Sequence, residues 1–257
     1  MKKLLPITAF LAMASCLHAE LSAPWPMPAP LPSIPAGVNS ASYAFPKIAW
    51  LERVKGNNDN AAKIAEGIHL VFDGDSITDN WHRAGKQIWL EHYAKLGAFD
   101  FGISGDNTGN LLWRLSQGQM NGIHPKLVLL MIGTNNLGSN TDEQIAEGIK
   151  AIIDQYRKLC PDTVILLQGI FPRGHAATDP SRARIKEINK IIATYADGKN
   201  VRFLDFEDKF LEADGTMSPE VMPDFLHPSA KGYQIWADAI QPVIDQCFPP
   251  VKSVPNT

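Results

Sequence analysis

The chain has 257 residues, enough to bury one large hydrophobic core or two small ones. Its composition, with 45% hydrophobic and 20% charged residues, is that of an ordinary globular protein and excludes a disordered or fibrous chain. A formal net charge of −3 argues against nucleic acid or an anionic membrane surface as a partner, because neither would attract the chain electrostatically.

Residues 1–19 have the pattern of an export signal. Two lysines precede the apolar stretch LLPITAFLAMAS, which is too short to span a bilayer comfortably. Cleavage after Ala19 would give an exported protein, periplasmic or extracellular. An alternative interpretation makes Cys16 the lipidated residue of a lipoprotein, although Met13 is not the residue that such a site prefers. No other stretch is long and apolar enough to span a membrane.

Proline-rich segments flank the central part of the chain. Seven prolines lie between Leu21 and Pro46, and proline removes backbone donors and disfavours helix. Residues 20–45 are therefore predicted to be an extended arm, and the tail at 249–257 is similar. The remaining residues, 46–248, are predicted to form one domain.

Cys160 and Cys247 are the cysteines that remain after the predicted signal. Two cysteines at distant helix ends do not make a disulfide framework. We therefore expect two separate buried thiols and a fold that depends on its hydrophobic core.

Strands and helices alternate along the central segment. Apolar runs bounded by turn residues predict strands, and apolar residues at helical spacing predict helices. Thr141 and Gln144 have the spacing of a capping box, and Asp179 before Pro180 marks another helix start. In chain order the predicted elements are strand 67–73, helix 86–97, strand 98–103, helix 108–118, strand 126–133, helix 141–159, strand 163–170, helix 179–197, strand 200–206 and helix 229–244.

This alternation predicts the fold class. Five strands separated by helices imply right-handed crossovers and a parallel sheet that is covered on both faces. The predicted architecture is an α/β fold, a three-layer α/β/α sandwich with a five-stranded parallel sheet. In such sheets ligands bind at the carboxyl ends of the strands. The loops expected there, such as DGDSITDNW, SGDNTGN and GTNNLGSN, are rich in Gly, Asn, Asp and Ser.

Three side chains in these loops have the residue types of a hydrolytic triad. Serine becomes a strong nucleophile only when a base takes its proton, and that base needs a third group to fix its tautomer. Ser76 follows the first strand, and His227 has Asp224 three residues before it in DFLH. On a helical turn that spacing lets the carboxylate reach the imidazole. Taken alone, the same pair would also fit a surface helix cap.

Amide groups in the same loops could stabilise an oxyanion. Ser76 and Gly105 could offer backbone N–H groups, and Asn135 could offer its side-chain amide. Turn chemistry alone would also explain a glycine and an asparagine at these positions. No His, Cys and Asp residues have the spacing of metal ligands, so we expect neither a metal nor a cofactor.

Four motifs in these loops resemble the four blocks of the SGNH (GDSL) hydrolase family, in the family's order. They are GDS at 74–76, GISGDNTGN at 102–110, GTNN at 133–136 and DFLH at 224–227. The resemblance extends over residues 68–244, and no G-x-S-x-G elbow of the α/β-hydrolases surrounds the serine.

The resemblance implies a flavodoxin-like fold and a specific role for each residue. Ser76 would be the nucleophile, His227 the base and Asp224 the residue that orients the base. The backbone N–H groups of Ser76 and Gly105 and the side-chain amide of Asn135 would form the oxyanion hole. Asn136 departs from the pattern, because many members of the family carry Asp at this position.

Further stretches, FGISGD, LLWRL and PRG, resemble the catalytic subunits of platelet-activating-factor acetylhydrolases and their bacterial relatives. This resemblance implies hydrolysis of short acyl esters, acetyl esters above all. Trp25 and Trp113 are candidates to stack on a sugar. The candidates to contact the substrate, each of which could equally belong to the core, are Asp75, Trp81, Leu137, Phe171, Met222 and Phe225.

Three functions are compatible with these observations. An exported enzyme of this kind would meet O-acetyl groups on carbohydrate, so the first interpretation is an acetylesterase with a small-molecule or polysaccharide ester as substrate. A lysophospholipase or lipid acetylhydrolase is the alternative, although no lid or long apolar loop is evident that would bury a fatty chain. A non-catalytic glycan-binding module is the alternative from another class, and the complete set of chemical groups argues against it.

Overall fold

Five parallel strands form the central sheet of the structure, a computed structural model that describes residues 47–249. The predicted signal at 1–19, the predicted arm at 20–45 and nearly all of the tail lie outside the described residues. The strands are β1 (Leu70–Gly74), β2 (Ala98–Asp100), β3 (Leu127–Met131), β4 (Val164–Gln168) and β5 (Val201–Leu204), in the order β2-β1-β3-β4-β5.

The predicted five-stranded parallel sheet is confirmed. β1 pairs with β3 from Leu70 opposite Leu127 to Gly74 opposite Met131, and every other pair of neighbours is also parallel. The observed strands are shorter than the predicted ones, since β1 begins three residues later than predicted and the other four strands end two or three residues earlier. β2 shows this most clearly, since it stops at Asp100, whose carboxylate accepts a hydrogen bond of 2.7 Å from the N–H of Gly102.

The described residues form seven α-helices. In chain order the first precedes β1, five lie between strands and the last follows β5. They are α1 (Ile48–Ala62), α2 (Ser76–Asp79), α3 (Lys86–His92), α4 (Thr108–Ser116), α5 (Asp142–Leu159), α6 (Pro180–Ala193) and α7 (Ala230–Cys247).

The predicted helix signals are confirmed. Thr141 and Gln144 form a reciprocal capping box at α5, and the Asp179 side chain caps α6, in which Pro180 is the first residue. The helix predicted over 86–97 divides into α3 and a short 3₁₀ turn, which Gly97 ends in the left-handed conformation with φ of 65°.

Helix α1 is absent from the sequence prediction. Its middle reads GNNDN, residues that favour turns over helix, and its apolar stripe is weak, so periodicity does not reveal it. The helix forms because it buries Val54 and Ala61. Its residue Trp50 contacts Asp106 in the loop after β2.

Hydrophobic residues cover both faces of the sheet, which confirms the three layers. Alternate strand residues such as Val71 and Val128 pack with α4, α5 and α6, whereas Leu70 and Leu129 pack with α3 and α7 on the opposite face. Both cysteines have free thiols, as expected; Cys160 is buried and Cys247 is half-buried. None of the helices within 47–249 is long and apolar enough to cross a membrane.

Candidate active site

Ser76 is the first residue of α2 and stands two residues beyond the end of the β1 backbone ladder. Gly74 ends the strand where a side chain has no room, since a Cβ there would overlap the carbonyl oxygen of Met131 and the hydroxyl of Thr78. Asp75 then accepts a hydrogen bond of 2.9 Å from the N–H of Ile77 and caps the short helix. The turn is thus fixed, and it leaves Ser76 half-buried at the carboxyl edge of the sheet.

The side chains of Ser76, His227 and Asp224 form a continuous chain of hydrogen bonds. Ser76 Oγ lies 2.9 Å from His227 Nε2, and His227 Nδ1 lies 2.6 Å from Asp224 Oδ2. An ionised carboxylate can only accept, so the ring proton belongs on Nδ1, and Nε2 is the acceptor for the serine hydroxyl. Ser76 and His227 are 151 residues apart in the chain.

Asp224 also fixes the backbone that carries the histidine. Its Oδ1 accepts hydrogen bonds from the backbone N–H of His227 at 2.7 Å and of Leu226 at 3.1 Å. Partial burial acts to raise the pKa of Asp224, but the hydrogen bonds from the side chain and backbone of His227 outweigh it and lower the pKa. The carboxylate therefore stays ionised and holds the imidazole in one orientation.

Three N–H donors lie in the loops around the serine. Gly105 is exposed and has a φ of 86°, a conformation that a side chain would strain. Among residues 47–249, the backbone N–H groups of Ser76 and Gly105 donate no hydrogen bond to another backbone group. Asn135 is exposed, and its Nδ2 donates to the carbonyl of Asp106 at 2.8 Å, which leaves a second N–H on the same nitrogen.

A buried arginine, Arg114, connects the end of β1 with the loop that follows β2. Arg114 of α4 donates from Nε to Asp106 Oδ2 at 2.8 Å and from Nη2 to Asp73 Oδ1 at 3.0 Å. The same Nη2 lies 3.3 Å from the carbonyl of Gly74. One guanidinium thus ties the end of β1 to the loop that follows β2. The remaining polar side chains of this cluster are Gln119 and Tyr156, which both donate to Asp73.

Trp50 of α1 reaches the same loop from outside the sheet. Its indole Nε1 donates to Asp106 Oδ1 at 2.5 Å, so Asp106 is held by two donors. The ring packs against Trp113 at a centroid distance of 5.2 Å, so Trp113 serves as a packing partner in this structure. The sequence does not single out Trp50 and Arg114, because neither residue type marks which distant carboxylate it will contact.

Burial perturbs two carboxylates beneath the site. Desolvation raises the pKa of Asp75 to about 7, even though the N–H of Ile77 lowers it. Desolvation also raises the pKa of Asp106 to about 6, against the lowering effect of Arg114. Burial acts to lower the pKa of Arg114, but Asp73 and Asp106 more than offset this and raise it.

Asn136, where the family pattern has Asp, uses both halves of its amide. Its Oδ1 accepts from the N–H of Thr108 at 3.0 Å, and its Nδ2 donates to Thr108 Oγ1 at 3.1 Å and to Asn140 Oδ1 at 3.0 Å. A carboxylate could make the first of these bonds but could not donate the other two. Asn136 therefore fixes the loop after β3 against the start of α4.

Four of the predicted substrate contacts are buried, and for these the prediction is wrong. Trp81 and Met222 have no exposed surface and Phe171 has 3%; all three pack in the hydrophobic layer between the sheet and α7. Asp75 is also fully buried, with its carboxylate committed to the cap of α2. The identity of an apolar residue beside a motif does not show whether its side chain faces the core or the solvent.

Leu137 and Phe225 are half-buried and remain accessible. Leu137 follows the Asn135–Asn136 pair, and Phe225 lies between Asp224 and His227 with a φ of 57° and its ring 4.9 Å from that of His175. Within residues 47–249, no three His, Cys, Asp or Glu side chains are grouped so that they could hold a metal ion.

Comparison with known proteins gives a family and a fold. The model of the GDSL-like Lipase/Acylhydrolase family matches residues 72–235. The alpha1 subunit of platelet-activating factor acetylhydrolase IB from Rattus norvegicus is 40% identical over 165 residues, which cover 64% of this chain and 69% of the relative. The alpha2 subunit from Gallus gallus is 36% identical over the same length.

Two solved structures share the architecture. A GDSL-like lipase from Bacteroides thetaiotaomicron aligns with a TM-score of 0.62 and 22% identity, over 75% of this chain and 97% of its own. A catalytic mutant of an acetylxylan esterase from Geobacillus stearothermophilus aligns with a TM-score of 0.53 and 23% identity, over 68% of this chain and 93% of its own. At these identities the likeness shows the SGNH fold.

Proposed function

Because the chain belongs to the GDSL-like lipase/acylhydrolase family and is a serine ester hydrolase, we propose that it removes acetyl groups from carbohydrate through an acyl-enzyme on Ser76. The observation that carries the proposal is the hydrogen-bonded chain from Ser76 Oγ to His227 Nε2 at 2.9 Å and from His227 Nδ1 to Asp224 at 2.6 Å. A complete chain of this kind makes a non-catalytic module the weaker interpretation.

The first half of the reaction forms the acyl-enzyme. His227 Nε2 takes the proton as Ser76 Oγ attacks the ester carbonyl, and Asp224 stabilises the imidazolium that results. The tetrahedral intermediate then collapses, the bond between carbonyl carbon and alcohol oxygen breaks, and His227 returns the proton to the departing alcohol.

The second half of the reaction releases the acid. His227 takes a proton from a water molecule, which attacks the acyl carbon, and the proton then goes to Ser76 Oγ as acetate leaves. In both halves the negative charge develops on the former carbonyl oxygen, and the donors proposed for it are the N–H groups of Ser76, Gly105 and Asn135. Donors that are fixed before the reaction need no reorganisation when the charge appears.

Three observations support a substrate with a short acyl group. The large apolar side chains next to the motifs, Trp81, Phe171 and Met222, are buried in the core and do not line a long channel. The accessible candidates for a small acyl pocket are Leu137 and Phe225, which flank the proposed oxyanion donor and the proposed triad. The related acetylxylan esterase and acetylhydrolase both act on acetyl esters according to their names.

A lipid acetylhydrolase is the second candidate, and the 40% identity to the platelet-activating factor acetylhydrolase subunit favours it. We also propose that the protein is exported. It is supported by the signal-like pattern of residues 1–19, with Cys16 as the alternative lipidated anchor. Secretion of the full-length chain and the mass of the mature N-terminus test this part.

A panel of esters tests the proposed activity. We expect p-nitrophenyl acetate to be hydrolysed far faster than p-nitrophenyl palmitate. Acetylated xylan, pectin and sialic acid should release acetate, whereas lyso-lipids should release little fatty acid. Equal rates on the two p-nitrophenyl esters would refute the short-acyl preference. Acetate release from platelet-activating factor, without release from any glycan, would establish the second candidate.

A further inference from the structure

A cleft of about 440 Å³ opens between α1 and the loops that follow β1 and β2. Asp79 and Ser104 form part of its wall. Asp79 lies in the same short helix as Ser76, three residues further on, and Ser104 precedes Gly105. The cleft wall thus includes residues that are near the proposed nucleophile and next to a proposed oxyanion donor along the chain.

The cleft carries an excess of positive charge. Arg53, Arg83 and Lys47 line it together with a single carboxylate, that of Asp79. Asp79 is already neutralised, because its Oδ1 pairs with Arg53 at 2.8 Å and its Oδ2 accepts from Ser104 Oγ at 2.6 Å.

Two cations of the cleft have no counter-charge among the residues that the structure describes. Lys47 and Arg83 are both exposed, and no residue within 47–249 forms an ion pair or hydrogen bond with either charged head group. An unneutralised guanidinium and ammonium at the rim of a cleft favour a ligand with an anionic oxygen group, because guanidinium matches carboxylate and phosphate geometry and ammonium adds a point charge.

An aromatic face lies beside these cations. Trp50 lines the cleft, and its ring is held by the hydrogen bond to Asp106 and by the packing against Trp113. A fixed aromatic ring offers a large apolar surface at low entropic cost. Trp50, Lys47 and Arg53 precede residues 72–235, so the segment outside the family match supplies half of the cleft.

We propose that this cleft is a subsite for an anionic group, a carboxylate or a phosphate, on the part of the substrate that extends away from the ester. The inference rests on the proposed function, since it assumes an ester bound at Ser76. It narrows the substrate class to acetyl esters that carry a negative charge near the reacting group, an acidic sugar or a phosphorylated glycerol being the two sources of that charge.

Two matched pairs of substrates test the subsite. Acetylated methyl glucuronoside is compared with acetylated methyl glucoside, and acetylglycerol phosphate with acetylglycerol. We expect the anionic member of at least one pair to have the higher kcat/KM, and the pair that shows it identifies the source of the charge. The preference should shrink as salt is raised to about 1 M, because exposed charges are then screened. No preference in either pair would overturn the inference.

Variants that remove a positive charge test whether the preference for anionic substrates arises in this cleft. In Lys47→Gln with Arg83→Gln, the ratio of anionic to neutral kcat/KM should fall by about fivefold or more, since an exposed ion pair contributes up to about that factor per charge. Lys158→Gln is the matched control, because it removes an exposed positive charge from the end of α5, at the opposite edge of the sheet. An equal loss in the control, or an unchanged ratio in the double variant, would contradict the assignment.

A binding measurement separates the two proposals. Saturation-transfer NMR with methyl glucuronoside, methyl glucoside and glycerol phosphate needs no turnover. Anion binding that is lost in the double variant, in an enzyme without activity on any acetyl ester, would leave the subsite in place and refute the proposed function. Turnover of neutral acetyl esters without any anion preference or anion binding would refute the subsite alone.

Discussion

The side-chain amide of Asn135 donates a hydrogen bond of 2.8 Å to the backbone carbonyl of Asp106. This bond joins the loop after β3 to the loop after β2, where Gly105 stands next to Asp106. Asp106 is itself held by Arg114 at 2.8 Å and by Trp50 at 2.5 Å. The proposed oxyanion donors are therefore positioned by a buried network and not by their own loops alone.

Replacing Asn135 tests its proposed role in the oxyanion hole. Asn135→Ala should lower kcat for p-nitrophenyl acetate by about 10²–10³, because one preorganised donor is lost where charge develops. Asn135→Asp, which keeps the shape but not the N–H, should be similarly slow. Asn60→Ala, an exposed asparagine of α1, serves as the control. Full activity in Asn135→Ala would remove this residue from the oxyanion hole.

The proposed triad predicts a ranking of three variants. Ser76→Ala and His227→Ala should each lose about 10⁴–10⁶ in kcat, since nucleophile and base act as one unit. Asp224→Ala should lose less, because it orients the base and transfers no proton. Labelling by a fluorophosphonate probe should disappear in Ser76→Ala. A labelled Ser76→Ala protein, or a larger loss in Asp224→Ala than in His227→Ala, would contradict these roles.

Arg114 should be essential for stability. Arg114→Met leaves the carboxylates of Asp73 and Asp106 buried without their cation, and removing one partner of such a buried pair costs about 3–5 kcal/mol. Urea unfolding followed by tryptophan fluorescence measures this loss. Arg202→Met, at a partly exposed arginine that bonds Gln246, should change the free energy of unfolding by less than about 1 kcal/mol. Equal losses in the free energy of unfolding for the two substitutions would show that the buried network does not contribute to stability.

The buried carboxyl of Asp75 should make stability depend on pH. Its folded pKa of about 7 lies above the ordinary value of 3.8, so between these values the folded state binds a proton that the unfolded state has released. Stability from this group is thus fully present below the lower pKa and is lost as pH rises to about 7, by at most about 1.4 kcal/mol per pH unit.

Asp75→Asn removes this titration and keeps an oxygen to accept from the N–H of Ile77. The free energy of unfolding of the variant, relative to the original protein, should therefore rise between pH 5 and about pH 7 with a slope of about one proton, and should level off above that pH. Asp106, with its pKa raised to about 6, is present in both proteins, and its charge is one cause of the raised pKa of Asp75. Parallel stability curves for the two proteins would show that Asp75 does not titrate in this range.

The sequence by itself determined the fold class, because each of its signals is local. Apolar runs specify buried strands, and Thr141 with Gln144 and Asp179 with Pro180 specify helix starts whatever the rest of the chain does. It also singled out Ser76, Asp224 and His227 as the candidate triad, since the family's motifs can be read from the chain without its structure. Helix α1 escaped because its stability comes from packing and not from its own propensity.

Only the tertiary structure decided which side chains meet and which are buried. Ser76 and His227 are 151 residues apart and are brought to 2.9 Å by crossovers that return every strand end to one edge. The contacts of Arg114 and Trp50, and the burial of Trp81, Phe171 and Met222, depend on neighbours from distant elements. A residue's type limits the bonds it can form, whereas its burial and its partners depend on the packing of the whole domain.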